Sequence, residues 1–251
     1  NRMTSAGGFR TPELIILLSA PKNFKTGVLI TLALGFMRDG LKVYYADGEN
    51  GEVAIRKRVE QSILQCTEEE LKNPDIYGQL DESLKWYTVR GGNMMIDSYI
   101  AYQSTTADVY TRLKQLKADT GFVPDVIIWD SIDHFMPATA EDRKKDERFK
   151  IRKTYFEVIA INKLLGCFSI APSQVNRAAV EKKVFSMKDF AEDFGKAANC
   201  HATFALCRTP EEVEAKIGRI VPVVQRQGVR FHPNMACVLE IQEEIGVVKE
   251  I

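Results

Sequence analysis

From Leu14 onward, short apolar runs alternate with segments of helical periodicity, a pattern that lays parallel strands into one sheet covered by helices. Leu14 to Leu18 reads as a buried strand, Thr26 to Arg38 as a helix, Val43 to Ala46 as the second strand and Val53 to Leu64 as the helix after it. Thr67 and Glu70 spell a capping box for a further short helix. Lys85 to Val89 is predicted as the third strand, ended by the Gly91-Gly92 turn, and Ser98 to Lys117 as a long helix. The run Val126, Ile127, Ile128, Trp129, Asp130 is apolar on both faces and ends in a carboxylate, as a central parallel strand does. A charged stretch from Glu141 leads into a helix through Leu165, and Cys167 to Ala171 is another buried strand. A short helix near Lys188 to Ala198 precedes Thr203 to Cys207, Ile220 to Val224, Ala236 to Ile241 and Val247 to Glu250. These closely spaced strands predict an antiparallel extension of the sheet. The predicted fold class is α/β: a mainly parallel central sheet flanked by helices, in one domain over residues 1–251.

Composition narrows the function by exclusion. Formal charge is zero, with 34 Lys and Arg against 34 Asp and Glu, so the chain is not coated in positive charge for wrapping nucleic acid. Any contact with nucleic acid must be local. Cys66, Cys167, Cys200, Cys207 and Cys237 are odd in number and mostly lie in apolar runs, which suits reduced thiols rather than a disulfide framework. No apolar run approaches the roughly 18 to 20 residues that span a bilayer, and no signal peptide opens the chain, so a cytoplasmic protein without a membrane partner is expected. The chain begins at Asn1 rather than Met, as a fragment or processed chain does.

After the first strand the sequence reads Ser19, Ala20, Pro21, Lys22, Asn23, Phe24, Lys25, Thr26, Gly27. It aligns with the phosphate-binding pattern G-x-x-x-x-G-K-[ST], matching at Lys25 and Thr26, with Ser19 and Phe24 where glycines are usual. A strand, a tight loop and Lys-Thr at a helix start offer backbone N–H groups and the helix dipole to phosphates, Lys25 to the β and γ oxygens, and Thr26 to Mg²⁺. The same dipeptide also opens ordinary surface helices. The second strand ends in Asp47, Gly48, Glu49 and Asn50, at the sheet edge where open α/β sheets bind ligands. A carboxylate there can polarise the water that attacks a nucleotide, although these residue types also make a plain solvated turn. Asp130 fits the carboxylate that holds Mg²⁺ through water.

The order of these features, followed by Ser-Gln-Val-Asn-Arg at 173–177, resembles the motor domain of DnaB-type replicative DNA helicases, a RecA-like P-loop class, and especially those of tailed phages. That family has Ser-Gln-Leu-Asn-Arg there. The stretches from Ser186 to Asp193, His201 to Glu212 and Val223 to Gly228 resemble its helix, strand and hairpin ending in the same order, so the resemblance covers nearly the whole chain, and the family's N-terminal domain lies outside it. The resemblance implies an ATPase using ATP and Mg²⁺, with Glu49 as catalytic carboxylate and Asp130 as metal-side carboxylate. It further implies Gln174 as γ-phosphate sensor and Arg226 as an arginine finger given to a neighbouring subunit. Val224 departs from the family's common Lys two residues before that arginine. Implied partners are single-stranded DNA, further copies in a ring hexamer, and a primase or helicase loader, in the host cytoplasm for a phage protein.

Two basic stretches are candidates for the DNA. Residues 141–153 hold seven basic and four acidic side chains, among them Arg143, Lys144 and Lys145; residues 177–188 hold four basic and one acidic, among them Arg177, Lys182 and Lys183. In a ring such loops face the channel and concentrate charge on a phosphate backbone. The second directly follows Gln174, which lets hydrolysis move it. Two rivals remain open: a RecA- or RadA-like recombination ATPase, and a P-loop regulator or loading partner that does not hydrolyse ATP.

Overall fold

A computed structural model describes residues 8–176, 179, 182–189, 196, 199–226 and 236–251. They include nine strands: β1 (Leu14–Ser19), β2 (Lys42–Asp47), β3 (Asn93–Ser98), β4 (Val126–Asp130), β5 (Phe168–Gln174), β6 (Ala202–Cys207), β7 (Ile217–Gln225), β8 (Cys237–Gln242) and β9 (Val247–Glu250). One sheet holds them in the order β3-β2-β4-β5-β1-β6-β7-β8-β9. β3 through β6 in that order pair in parallel, and β7, β8 and β9 add on antiparallel. The extension is therefore one strand shorter than predicted, because β6 runs parallel to β1.

Both faces of the sheet are covered, which is why its central strands carry no polar alternation. Leu14, Ile16, Leu18, Tyr44 and Trp129 pack with Val109, Leu113 and Leu116 of helix α5 (Thr106–Thr120) and with Tyr155, Val158 and Ile161 of α6 (Glu147–Leu165). Ile15, Leu17 and Tyr45 point to the other face, against Val28, Leu29 and Ala33 of α1 (Lys25–Arg38) and Ile55, Val59 and Ile63 of α2 (Glu52–Leu64).

Two predicted elements are corrected. Lys85 to Val89 is not a strand: most of it lies in α4 (Leu80–Thr88), which follows the short helix α3 (Pro74–Tyr77) and in which Leu80, Leu84 and Tyr87 recur at helical spacing and pack on the core. A short apolar run cannot tell strand from helix by period alone. The strand is β3, entered through Gly92, where a Cβ would stand 1.9 Å from the Met37 carbonyl oxygen. The long helix consequently starts at Thr106 rather than Ser98, at a reciprocal capping box between Thr105 and Asp108. The box at Thr67 and Glu70 forms as predicted, closing a single 3-10 turn at Glu70–Lys72.

What positions the site is register. Ser19 of β1 is the partner of Gln174 of β5, and Asp47 of β2 is the partner of Asp130 of β4. Four parallel strands thus end together, at the carboxyl edge where such sheets bind ligands. β5 is longer than predicted and carries Ser173 and Gln174 to that edge as strand residues.

Candidate functional site

The chain leaves β1 at Ser19, fully buried, and turns through Ala20, Pro21, Lys22, Asn23 and Phe24 into α1. Lys22 (φ 57°) and Phe24 (φ 58°, ψ 30°) both adopt the left-handed conformation that glycine takes freely and other residues take at a cost of about 1–2 kcal/mol. Surrounding contacts hold them there. The buried Asn23 donates from Nδ2 to the Leu206 carbonyl at 3.2 Å, and the Phe24 ring lies back over Gly27, where a Cβ would stand 2.0 Å from Cε1. The ring joins the apolar face of α1. Lys25 and Thr26 follow as the first helical residues, so the free N–H groups of the helix start face the sheet edge.

Thr26 Oγ1 donates to Asp130 Oδ2 at 3.0 Å, and the Tyr45 hydroxyl donates to the same oxygen at 2.8 Å. Asp130 is buried, and burial pushes its carboxyl above the usual range against the opposing pull of those two donors. Burial likewise pushes the Lys25 ammonium below its ordinary value, with Glu49 and Asp130 opposing. A half-buried cation at a helix start is the arrangement an anionic phosphate completes. Thr26 and Asp130 present hard oxygens side by side, which fits a Mg²⁺ that keeps water and phosphate as its other ligands. Among the described residues no cluster of three or more His, Cys, Asp or Glu forms a cage around an ion. His201 Nδ1 accepts the N–H of Leu14, and Cys200 Sγ lies 3.1 Å from Thr203 Oγ1.

The two carboxylates after β2 part company. Asp47 is buried and accepts the backbone N–H of Asn50 at 3.0 Å, that of Gly51 at 2.7 Å and the Ser98 hydroxyl at 3.1 Å, so it builds the turn. Glu49 is exposed. It lines both a groove of about 440 Å³ beside the phosphate loop and a cleft of about 520 Å³ shared with Lys25 and Gln174. Gln174 is exposed at the end of β5.

Arg226 is not brought to this cluster. β7 runs antiparallel, so Gln225 pairs with Ala202 at the start of β6, and Arg226, exposed, donates its N–H to the His201 carbonyl at 2.9 Å, at the opposite edge of the sheet. Arg143 and Lys144 sit in a 3-10 turn at Asp142–Lys144, with Lys145 exposed beyond it. Lys182 pairs with Asp189 at 2.5 Å and Lys183 is exposed, while Arg177 lies outside the described residues. Most of the predicted helix at 188–198 also lies outside them; Met187–Asp189 form a 3-10 turn.

Sequence reasoning missed Tyr45, whose alternation in β2 carries no functional signal, and Arg58, Gln61 and Ser62 of α2, which line the groove beside the phosphate loop. The latter three share one helix face and follow Glu49, a spacing visible in the sequence.

No family model matches the chain. A DnaB-like replicative helicase of Enterobacteria phage T4 is 22% identical over 231 residues, covering 91% of this chain and 48% of that protein. The chain thus spans about half the length of this curated relative. The ATPase domain of G40P superposes with a TM-score of 0.81 at 15% identity, over 97% of this chain and 86% of that one. A DnaB-like replicative helicase described with its interactions with primase gives 0.78 at 15% identity, over 95% and 57%. The RadB recombinase gives 0.59 at 17%, over 98% and 94%. The fold is RecA-like, and the resemblance to a DnaB-type helicase domain is borne out.

Proposed function

We propose, from a RecA-like fold that resembles DnaB-type helicase domains, that the chain is the ATP-driven motor of a phage replicative helicase. In this reading all of residues 1–251 are one motor domain that translocates on single-stranded DNA as a hexameric ring in the host cytoplasm. The single observation that supports it most is the register that ends β1, β2, β4 and β5 together, with Lys25, Glu49, Asp130 and Gln174 at one edge. ATP is the nucleotide, with its phosphates along Ala20 to Thr26 and Lys25 on the β and γ oxygens. Thr26 and Asp130 hold Mg²⁺, which when bound neutralises phosphate charge and orients the terminal group. Glu49, exposed and not engaged in the turn as Asp47 is, serves as general base. Gln174 registers the terminal phosphate. Arg143, Lys144, Lys145, Arg177, Lys182 and Lys183 contact the DNA backbone.

Arg226 acts on a neighbour's nucleotide, since the sheet holds it at the edge away from its own. A primase or a loader is the proposed further partner, because one structural neighbour is described with its interactions with primase. A second reading, a P-loop regulator without turnover, is favoured by one feature: Phe24 in a left-handed conformation where the loop pattern supplies glycine.

ATPase assayed with and without single-stranded DNA separates the readings. A motor is stimulated by DNA, and Lys25→Ala loses nucleotide binding or hydrolysis with an unchanged melting curve. Absence of turnover in the parent chain favours the regulator, and filaments rather than rings on DNA favour a recombinase. Arg226→Ala and Glu49→Gln, each inactive alone, regain ATPase when mixed if the finger acts in trans. Co-assembled mixtures without any recovery count against the shared site.

A further inference from the structure

Lys196 is among the largest fully buried side chains in the described structure, 1% exposed, and the functional reading above gives it no role. Its Nζ lies 2.8 Å from Asp133 Oδ2, and the Tyr155 hydroxyl donates to Asp133 Oδ1 at 3.2 Å. Desolvating two charges costs several kcal/mol for each ion, and well-packed apolar residues of the same volume are often at least as stable. Stability alone is therefore a poor reason for this pair.

Its place in the chain supplies another. Asp133 follows Asp130 by three residues at the exit of β4, and Lys196 follows in sequence the basic segment that carries Lys182 and Lys183. On the other side of that segment Asn176 donates its N–H to the Asp189 carbonyl at 2.7 Å and Nδ2 to the Lys188 carbonyl at 3.1 Å, two residues beyond Gln174. Asn176 thus ties Lys188 and Asp189 to the exit of β5, and Lys196, seven residues after Asp189, is tied to the exit of β4. Asp133 and Lys196 line the same cleft as Lys25, Glu49 and Gln174.

We propose that the Asp133–Lys196 ion pair is a positioning device that couples the phosphate end of this cleft to the basic segment at 182–188. Its loss uncouples ATP turnover from DNA. The proposal rests on the motor reading. Arg219 Nη2, which donates to the Lys183 carbonyl at 2.9 Å, and the buried Phe185 also hold the segment, but the Lys196–Asp133 tie is an ion pair in the cleft that a neutral substitution removes. Lys196 Nζ donates to Asp133 Oδ2 at 2.8 Å.

The test uses the full chain, with Lys196→Met, Asp133→Asn and the double variant, and oligo(dT) as the probe. ATPase is measured against ATP concentration with and without the oligonucleotide, and each variant is melted. The expected result is a ratio of DNA-stimulated to basal kcat reduced about tenfold in each variant, within the range usual for coupling between two sites, and no further loss in the double variant. Should Lys196→Met not fold, Asp133→Asn, nearly isosteric, carries the same expectation. Stimulation equal to the parent's in the folded variants overturns the proposal, as does a KM for ATP that rises in step with the lost stimulation. A parent chain whose ATPase ignores DNA overturns the motor reading itself and the coupling with it, so the two failures are distinct.

Discussion

The phosphate loop and the turn after β2 stand side by side on one sheet edge and are held in opposite ways. The turn is held mainly from within: one carboxylate, Asp47, collects N–H groups of Asn50 and Gly51, with the Ser98 hydroxyl as a distant donor. The loop is held from outside. Phe24 and Lys22 sit in conformations their own backbones disfavour, kept there by the Phe24 ring on Gly27 and by Asn23 on the Leu206 carbonyl 183 residues away. A local turn can be rebuilt by its own side chain, whereas a strained loop depends on its surroundings. The two regions should therefore fail differently when altered.

The largest effect tests which carboxylate does chemistry. Glu49→Gln is expected to bind ATP with Mg²⁺ and melt normally while turnover falls by roughly 10² to 10⁴, the usual worth of a general base. Asp47→Asn should instead lower the melting temperature, by about 1–3 kcal/mol of stability, because buried donors lose a charged acceptor. Turnover lost in Asp47→Asn with an unchanged melting curve, and kept in Glu49→Gln, would exchange the two roles.

A smaller effect probes the loop. Alanine is ordinarily favoured over glycine inside a helix by about 1 kcal/mol, yet Gly27→Ala should destabilise by about 1–3 kcal/mol, the cost of overpacking against the Phe24 ring. In a Phe24→Gly background the same substitution should be neutral or stabilising, and Phe24→Gly alone should keep its ATPase activity, since the ring lies on α1. Calorimetry of the four chains reads this cycle. Equal cost of Gly27→Ala in both backgrounds sinks the account of the loop, and loss of all activity in Phe24→Gly would mean that the ring itself organises it.

Much of the candidate site's placement was legible because its parts are local. Lys25 and Thr26 open a helix after an apolar strand, and Asp130 ends a strand apolar on both faces; strand, helix and capping signals all act within a few residues. Errors fell where local signals compete. The run at Lys85 to Val89 satisfies helix and strand alike, and what decided it was Leu80, Leu84 and Tyr87 finding the core, with β3 entering through Gly92 under Met37. Sequence distinguished Asp47 from Glu49 only by family resemblance; buried donors distinguish them in space.

By itself the sequence determined the α/β layering, the boundaries of β4, β9 and most of α1 and α2, and the order of the candidate phosphate-binding residues along the chain, because periodicity and capping are written within one or two turns. Tertiary structure alone decided that Ser19 pairs with Gln174 and Asp47 with Asp130, that Arg226 lies at the far edge, and that Lys196 meets Asp133 across 63 residues. Strand order, register and the meeting of distant charges depend on which surfaces are buried together, and no local stretch of sequence carries that information.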